Sequence, residues 1–80
     1  MSRLEEKLIE LGYTQDKYNS NVYYKDCYGL NGININIKNK IKGKVWTLYK
    51  DFTYPKEIDN LQQAFNEMQK DLKELEQCQD

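Results

Sequence analysis

The stretch IDNLQQAFNEMQKDLKEL, Ile58–Leu75, decides the fold. Its apolar residues Ile58, Leu61, Phe65, Met68, Leu72 and Leu75 recur at spacings of 3, 4, 3, 4 and 3. That is an unbroken heptad seam, and it predicts one long helix whose apolar edge lies against something else. Pro55 supplies a first-turn start, with φ preset and no amide hydrogen to leave unpaired. The predicted helix runs over 55–76, about 33 Å at 1.5 Å per residue.

What the helix covers is read upstream. Ile33-Asn34-Ile35-Asn36-Ile37-Lys38 alternates strictly, isoleucines to one side and polar residues to the other, as a half-buried antiparallel strand does. Val22, Tyr23 and Tyr24 favour an extended strand over 21–25. A third strand over 44–50 has Val45, Thr47 and Tyr49 on one face and Trp46 and Leu48 on the other. Both faces carry apolar groups, and Trp46 and Leu48 are expected to point inward. Asn31-Gly32 is a hairpin-turn signal. As a two-residue turn, however, it would push Asp26 toward the core beside Ile37, so a looser loop over 26–32 is preferred. At the N-terminus Ser2-Arg3-Leu4-Glu5 fits a capping box, Leu4, Leu8 and Leu11 share a helical stripe, and Gly12 is a stop, which predicts a short helix over 3–11. The expected architecture is α+β, in the order α-β-β-β-α. A three-stranded antiparallel sheet carries a short N-terminal and a long C-terminal helix on its isoleucine face.

Eighty residues make a single domain, residues 1–80, with a core too small to share with a large ligand cavity. No apolar run is long enough to span a membrane. The opening MSRLEEKLIEL has neither signal-peptide nor transit-peptide character, so a cytoplasmic location in whatever cell makes the chain is expected. Cys27 and Cys78 are then expected to be free thiols. The net charge of −1 hides an asymmetry. Residues 38–50 hold five lysines and no acid, whereas residues 57–80 hold seven acids against Lys70 and Lys73.

Catalytic signatures are missing. The chain has no histidine, which removes the commonest general base and metal ligand. There is no CxxC pair, no GxGxxG and no Walker A sequence. Carboxylate pairs such as Glu5/Glu6 and Glu74/Glu76 do not converge on a helix. The expectation is a protein without catalytic activity, cofactor or metal.

Three features suit binding. Lys38, Lys40, Lys42 and Lys44 flank a turn near Trp46, a pattern of cations and aromatics that fits single-stranded nucleic acid; the same lysines also suit a solvated hairpin guarding sheet edges. Seven tyrosines are many for this length. Tyr23, Tyr24, Tyr28 and Tyr49 are candidates for a partner-binding sheet face, joined by Glu67, Asp71 and Glu74 on the acidic helix, although tyrosine also simply favours half-exposed strands. Leu72 and Leu75, at the far end of the seam, could pair with a second copy in a homodimer or cover Leu4 and Leu8 of the first helix.

The stretches Ile58–Leu75 and LEEKLIELGY (Leu4–Tyr13), with the Lys/Asn/Tyr-rich body between them, resemble short phage and prophage proteins of low-GC Gram-positive bacteria. The resemblance is one of style and length across the whole chain and transfers no functional residue. That class includes inhibitors of host defence, anti-CRISPR proteins among them, which usually work as stoichiometric binders. The resemblance therefore implies docking on a larger host protein or nucleoprotein complex. Inhibitors that mimic DNA are typically very acidic, and this chain is near neutral. The alternatives are a single-stranded nucleic-acid-binding accessory protein and a small oligomeric structural subunit.

Overall fold

The computed structural model describes residues 2–27, 31–47 and 55–78, without the side chains of 55–60. Within them the order is α1 (Arg3–Glu10), β1 (Thr14–Gln15), β2 (Val22–Asp26), β3 (Asn31–Asn36), β4 (Lys42–Thr47) and α2 (Pro55–Gln77). The fold is α+β, and its sheet is antiparallel with four strands in the order β1-β2-β3-β4. The expected three strands gain β1, which pairs Thr14 with Tyr24 and Gln15 with Tyr23. Both β1 residues are polar and exposed, so no alternation marks them. The pairing exists because the chain turns back through residues 16–21, where the Asn19 side chain accepts from the Asn21 amide at 3.0 Å.

The ends of α1 follow their chemistry. The Ser2 hydroxyl accepts from the Glu5 amide at 3.2 Å. At the other end Gly12 takes φ +97°. Its amide donates to Ile9 O and the Tyr13 amide donates to Leu8 O, both at 3.0 Å. This is a Schellman closure, and its apolar contact is supplied by Leu8 and Tyr13, both buried in the core.

Register assigns every strand residue to a face. Tyr23 opposes Ile35, Lys25 opposes Ile33, and Ile33 and Ile35 oppose Val45 and Gly43. These residues share the covered face. There Leu8, Tyr13, Tyr23, Ile33, Ile35, Met68 and Leu75 form the buried cluster, flanked by Leu4, Leu11, Ile37, Ile41, Val45 and Leu72. Both helices thus lie on the isoleucine face. Trp46 does not: it opposes Gly32, on the other side of the sheet, while Val45 packs inward. The inward placement of Trp46 is therefore corrected. The slot beside Ile35 belongs to Gly43, where a Cβ would come within 2.9 Å of Met68 Sδ and 3.1 Å of Leu72 Cδ1. Helix α2 sits too close to β4 there for a bulky side chain.

Asn31 and Gly32 belong to β3 rather than to a turn, and Asp26 opposes Gly32 and is exposed. The expected loop over 26–32 is therefore corrected at both ends, where Asp26, Asn31 and Gly32 are paired strand residues. The seam of α2 is also shifted. Ala64, Met68, Asp71 and Leu75 are buried, whereas Phe65 is 41% exposed. Ile58 and Leu48 lie outside the side chains described. Among the described residues no helix is long and apolar enough to cross a membrane.

Candidate binding surfaces

Two surfaces of the described residues gather the candidate side chains: a cleft between the helices and the uncovered face of the sheet. The cleft holds about 650 Å³ between the end of α1 and the middle of α2. Its charged lining is Lys7, Lys25 and Lys70 with Glu10, Glu67, Asp71 and Glu74. The acidic stripe of α2 therefore turns toward the sheet, where cations meet it.

At the floor of the cleft is a buried polar network. The Lys25 ammonium donates to Asp71 Oδ2 at 2.9 Å, to Glu67 Oε1 at 3.0 Å and to the Leu11 carbonyl at 3.2 Å. The Tyr13 hydroxyl donates to the same Asp71 Oδ2 at 2.9 Å, and its ring centroid lies 4.6 Å from the ammonium. Burial alone would lower the Lys25 pKa, but the bonds to Asp71 and Glu67 outweigh it and hold the group above its ordinary value. Burial first, and then the bond to Asp71, push the Tyr13 hydroxyl far up. The network ties α1, β2 and α2 together with every member charged or hydrogen-bonded. It leaves Asp71, 3% exposed, as an internal bond acceptor. As a docking group Asp71 is thus corrected, because it is buried; Glu67, bonded to Lys25, and Glu74 are partly exposed on the cleft wall.

Sequence reasoning missed this network, although two signals pointed to it. Lys25 shares a strand face with Tyr23, so an inward Tyr23 carries Lys25 inward and demands an acid. Asp71 sits three residues after Met68 and four before Leu75, on the stripe that became the real seam.

The uncovered face is built from the alternate residues. Val22, Tyr24 and Asp26 of β2 oppose Asn36, Asn34 and Gly32 of β3, which oppose Lys42, Lys44 and Trp46 of β4. Tyr24 is 39% exposed. The Trp46 indole lies directly over Gly32, at whose backbone a Cβ would clash with the ring. Beyond the end of β3 and β4, Asn36, Lys38, Asn39, Lys40 and Lys42 line a basin of about 270 Å³ with no acid in its wall. Asn39 turns that corner at φ 62°, a conformation that asparagine tolerates.

The tyrosine candidates are therefore dispersed. Tyr24 is on the open face, Tyr23 is buried at 2% exposure in the core, and Tyr28 and Tyr49 lie outside the described residues. Of the lysine candidates, Lys38, Lys40 and Lys42 meet at the basin, and Lys42, Lys44 and Trp46 follow one another along the uncovered face of β4. Leu75 is fully buried in the same cluster as Leu8, and Leu72 packs against it, so covering the first helix is the role they take here.

Cys27 and Cys78 are free thiols. Burial, then the nearby Glu67, pushes the Cys27 thiol up, which suppresses the nucleophilic thiolate. Among the described residues no group of three or more Cys, Asp or Glu is placed to hold a metal ion. Comparison of the chain with protein-family models, with curated proteins and with solved structures finds no match.

Proposed function

We propose that this chain is a non-enzymatic binding module of a phage or mobile element. It docks stoichiometrically on a larger host protein or nucleoprotein complex in the host cytoplasm and inhibits a bacterial defence activity. The observation that carries the binding part is the asymmetry of the sheet. One face is closed by both helices, and the other leaves Tyr24 and Trp46 beside Lys42 and Lys44 with no element of the described fold over them. Aromatic area next to fixed cations is the composition of an interaction surface. The phage-like style of the sequence supports the defence-complex part.

The test is affinity capture from a Gram-positive host lysate with three baits: the natural chain, Lys44→Glu/Trp46→Ala, and Gln69→Glu on the exposed side of α2. One complex is expected to be captured by the first and third baits and lost with the second. Capture indifferent to Lys44 and Trp46 would overturn the proposal.

A further inference from the structure

We infer that the open sheet face takes a single strand of nucleic acid, laid along β4 from the lysine basin to Trp46. The inference rests on reading that face as the docking surface, and it names what the surface touches. Four lysines of this region, Lys38, Lys40, Lys42 and Lys44, form a run without an acid from the basin onto the face. Among the described residues none of the four makes an ion pair, whereas Lys25, on the covered face, makes two. Their charge is thus available to an external anion. The basin is walled by three of these lysines and two asparagines, and it suits a phosphate. Strand spacing puts Trp46 about 13 Å beyond Lys42, with Lys44 between them. Asn34 lies between Tyr24 and Lys44 in the next row. Cations that follow a backbone, aromatic rings for bases to stack on, and amides within reach of base edges are the elements of single-strand recognition. An acidic peptide would satisfy the lysines but would have no use for the rings. A duplex hides the faces of its bases. Among the residues that β2, β3 and β4 place on this face Asp26 is the one acid, and it lies in the row of Gly32 and Trp46, away from the basin.

The chain contains a single tryptophan, so Trp46 emission reports on this face alone. The full chain is titrated with unlabelled oligothymidylate, following tryptophan emission, and with a labelled copy, following anisotropy. Both are done at about 50 and 200 mM salt. Binding with quenched emission is expected, at micromolar affinity. With four phosphates neutralised the logarithmic salt slope is about −2.8, so affinity falls about fifty-fold between the two salts. In Lys42→Gln/Lys44→Gln, two exposed changes, the slope drops to about −1.4 and the fall to about seven-fold. A third arm uses heparin, a polyanion without bases. Heparin binding as tight as the oligonucleotide's, with emission unmoved in both, would overturn the inference, and so would silence of both readouts at low salt. If the oligonucleotide fails while host capture still requires Lys44 and Trp46 and survives nuclease, the occupant is a protein: the inference falls and the open-face reading stands. If neither depends on these residues, both fall.

Discussion

The two faces of this sheet treat lysine in opposite ways. On the covered face Lys25 is enclosed by Asp71, Glu67, Tyr13 and a carbonyl, its side chain 11% exposed. On the open face Lys42 and Lys44 stand exposed between asparagine and solvent. The difference lies in what each lysine can do. A buried cation whose bonds are all filled fixes the position of three elements and has nothing left for a partner. Cations left in water contribute little to stability and keep their charge for whatever arrives. On the proposed reading, fold specificity and binding capacity are divided between the faces.

The sharpest way to break this contrast is Lys25→Met. It strands a buried Asp71 without its cation, and removing one partner of a buried pair costs about 3–5 kcal/mol. An 80-residue domain has about 4–12 kcal/mol in total, so urea unfolding should show most of the stability gone. Removing the buried members together, as Tyr13→Phe/Lys25→Met/Asp71→Leu, leaves only Glu67, whose side chain is 33% exposed, and should restore stability to within about 1 kcal/mol of the natural chain or above it. A triple variant no better than Lys25→Met would show that the network does more than satisfy itself. Lys44→Met, on the open face, should move the urea midpoint hardly at all.

Alkaline titration probes the same network. Unfolded lysine titrates near 10.4 and tyrosine near 10. In the fold both Lys25 and Tyr13 hold their protons more tightly. Their contribution is therefore complete below about pH 10 and is lost as pH rises further, because the unfolded chain gives up these protons first. The urea midpoint should stay level from pH 7 to 9 and decline above about 10, and the decline should be smaller in the triple variant. An equal decline in both would show that the network is not its cause.

The seam of α2 gives a comparison within one helix. Leu75 is fully buried and Phe65 is 41% exposed, although both belong to the same heptad pattern. Leu75→Ala should cost about 2–5 kcal/mol, and Phe65→Ala well under half of that, by chemical denaturation. The helix itself was legible because 3-4 spacing over five turns suits a helix and little else, and the isoleucine strand because its alternation is strict. Which edge of the helix faces inward was not legible. The true stripe includes Ala64 and Asp71, and an aspartate scores as surface until its partners Lys25 and Tyr13 are known. Those partners lie 46 and 58 residues away. The face of β4 was hidden for a similar reason. Trp46 outweighs Val45 in apolar area, and only the register with β3, together with the close approach of α2 at Gly43, turns the indole outward. Strand β1 left no sequence signal, since two polar residues become a strand only by pairing. Of the candidate residues, the lysine run was legible because local sequence places it, whereas the expected grouping of Tyr23 with Tyr24 fails because strand parity puts them on opposite faces.

The finest comparison comes from the two glycines that face opposite ways. At Gly43 a Cβ would press on Met68 and Leu72 from the core side, with 2.9 Å and 3.1 Å to their nearest atoms. Methionine can yield in part, so Gly43→Ala should cost about 1–2 kcal/mol of overpacking. At Gly32 the geometric conflict is far worse, because the added carbon would lie inside the contact radius of the Trp46 ring. Yet the consequence should be smaller. The indole lies on the uncovered face and can swing into water, which forfeits its contact with the sheet and little else. Gly32→Ala should therefore shift stability by less than about 1 kcal/mol while moving the tryptophan emission to longer wavelength. The milder clash costs more because α2 leaves its side chains nowhere to go. If Gly32→Ala proved the more destabilising of the two, Trp46 would be held by something on that face, and the face could not be the open surface on which the binding proposal depends.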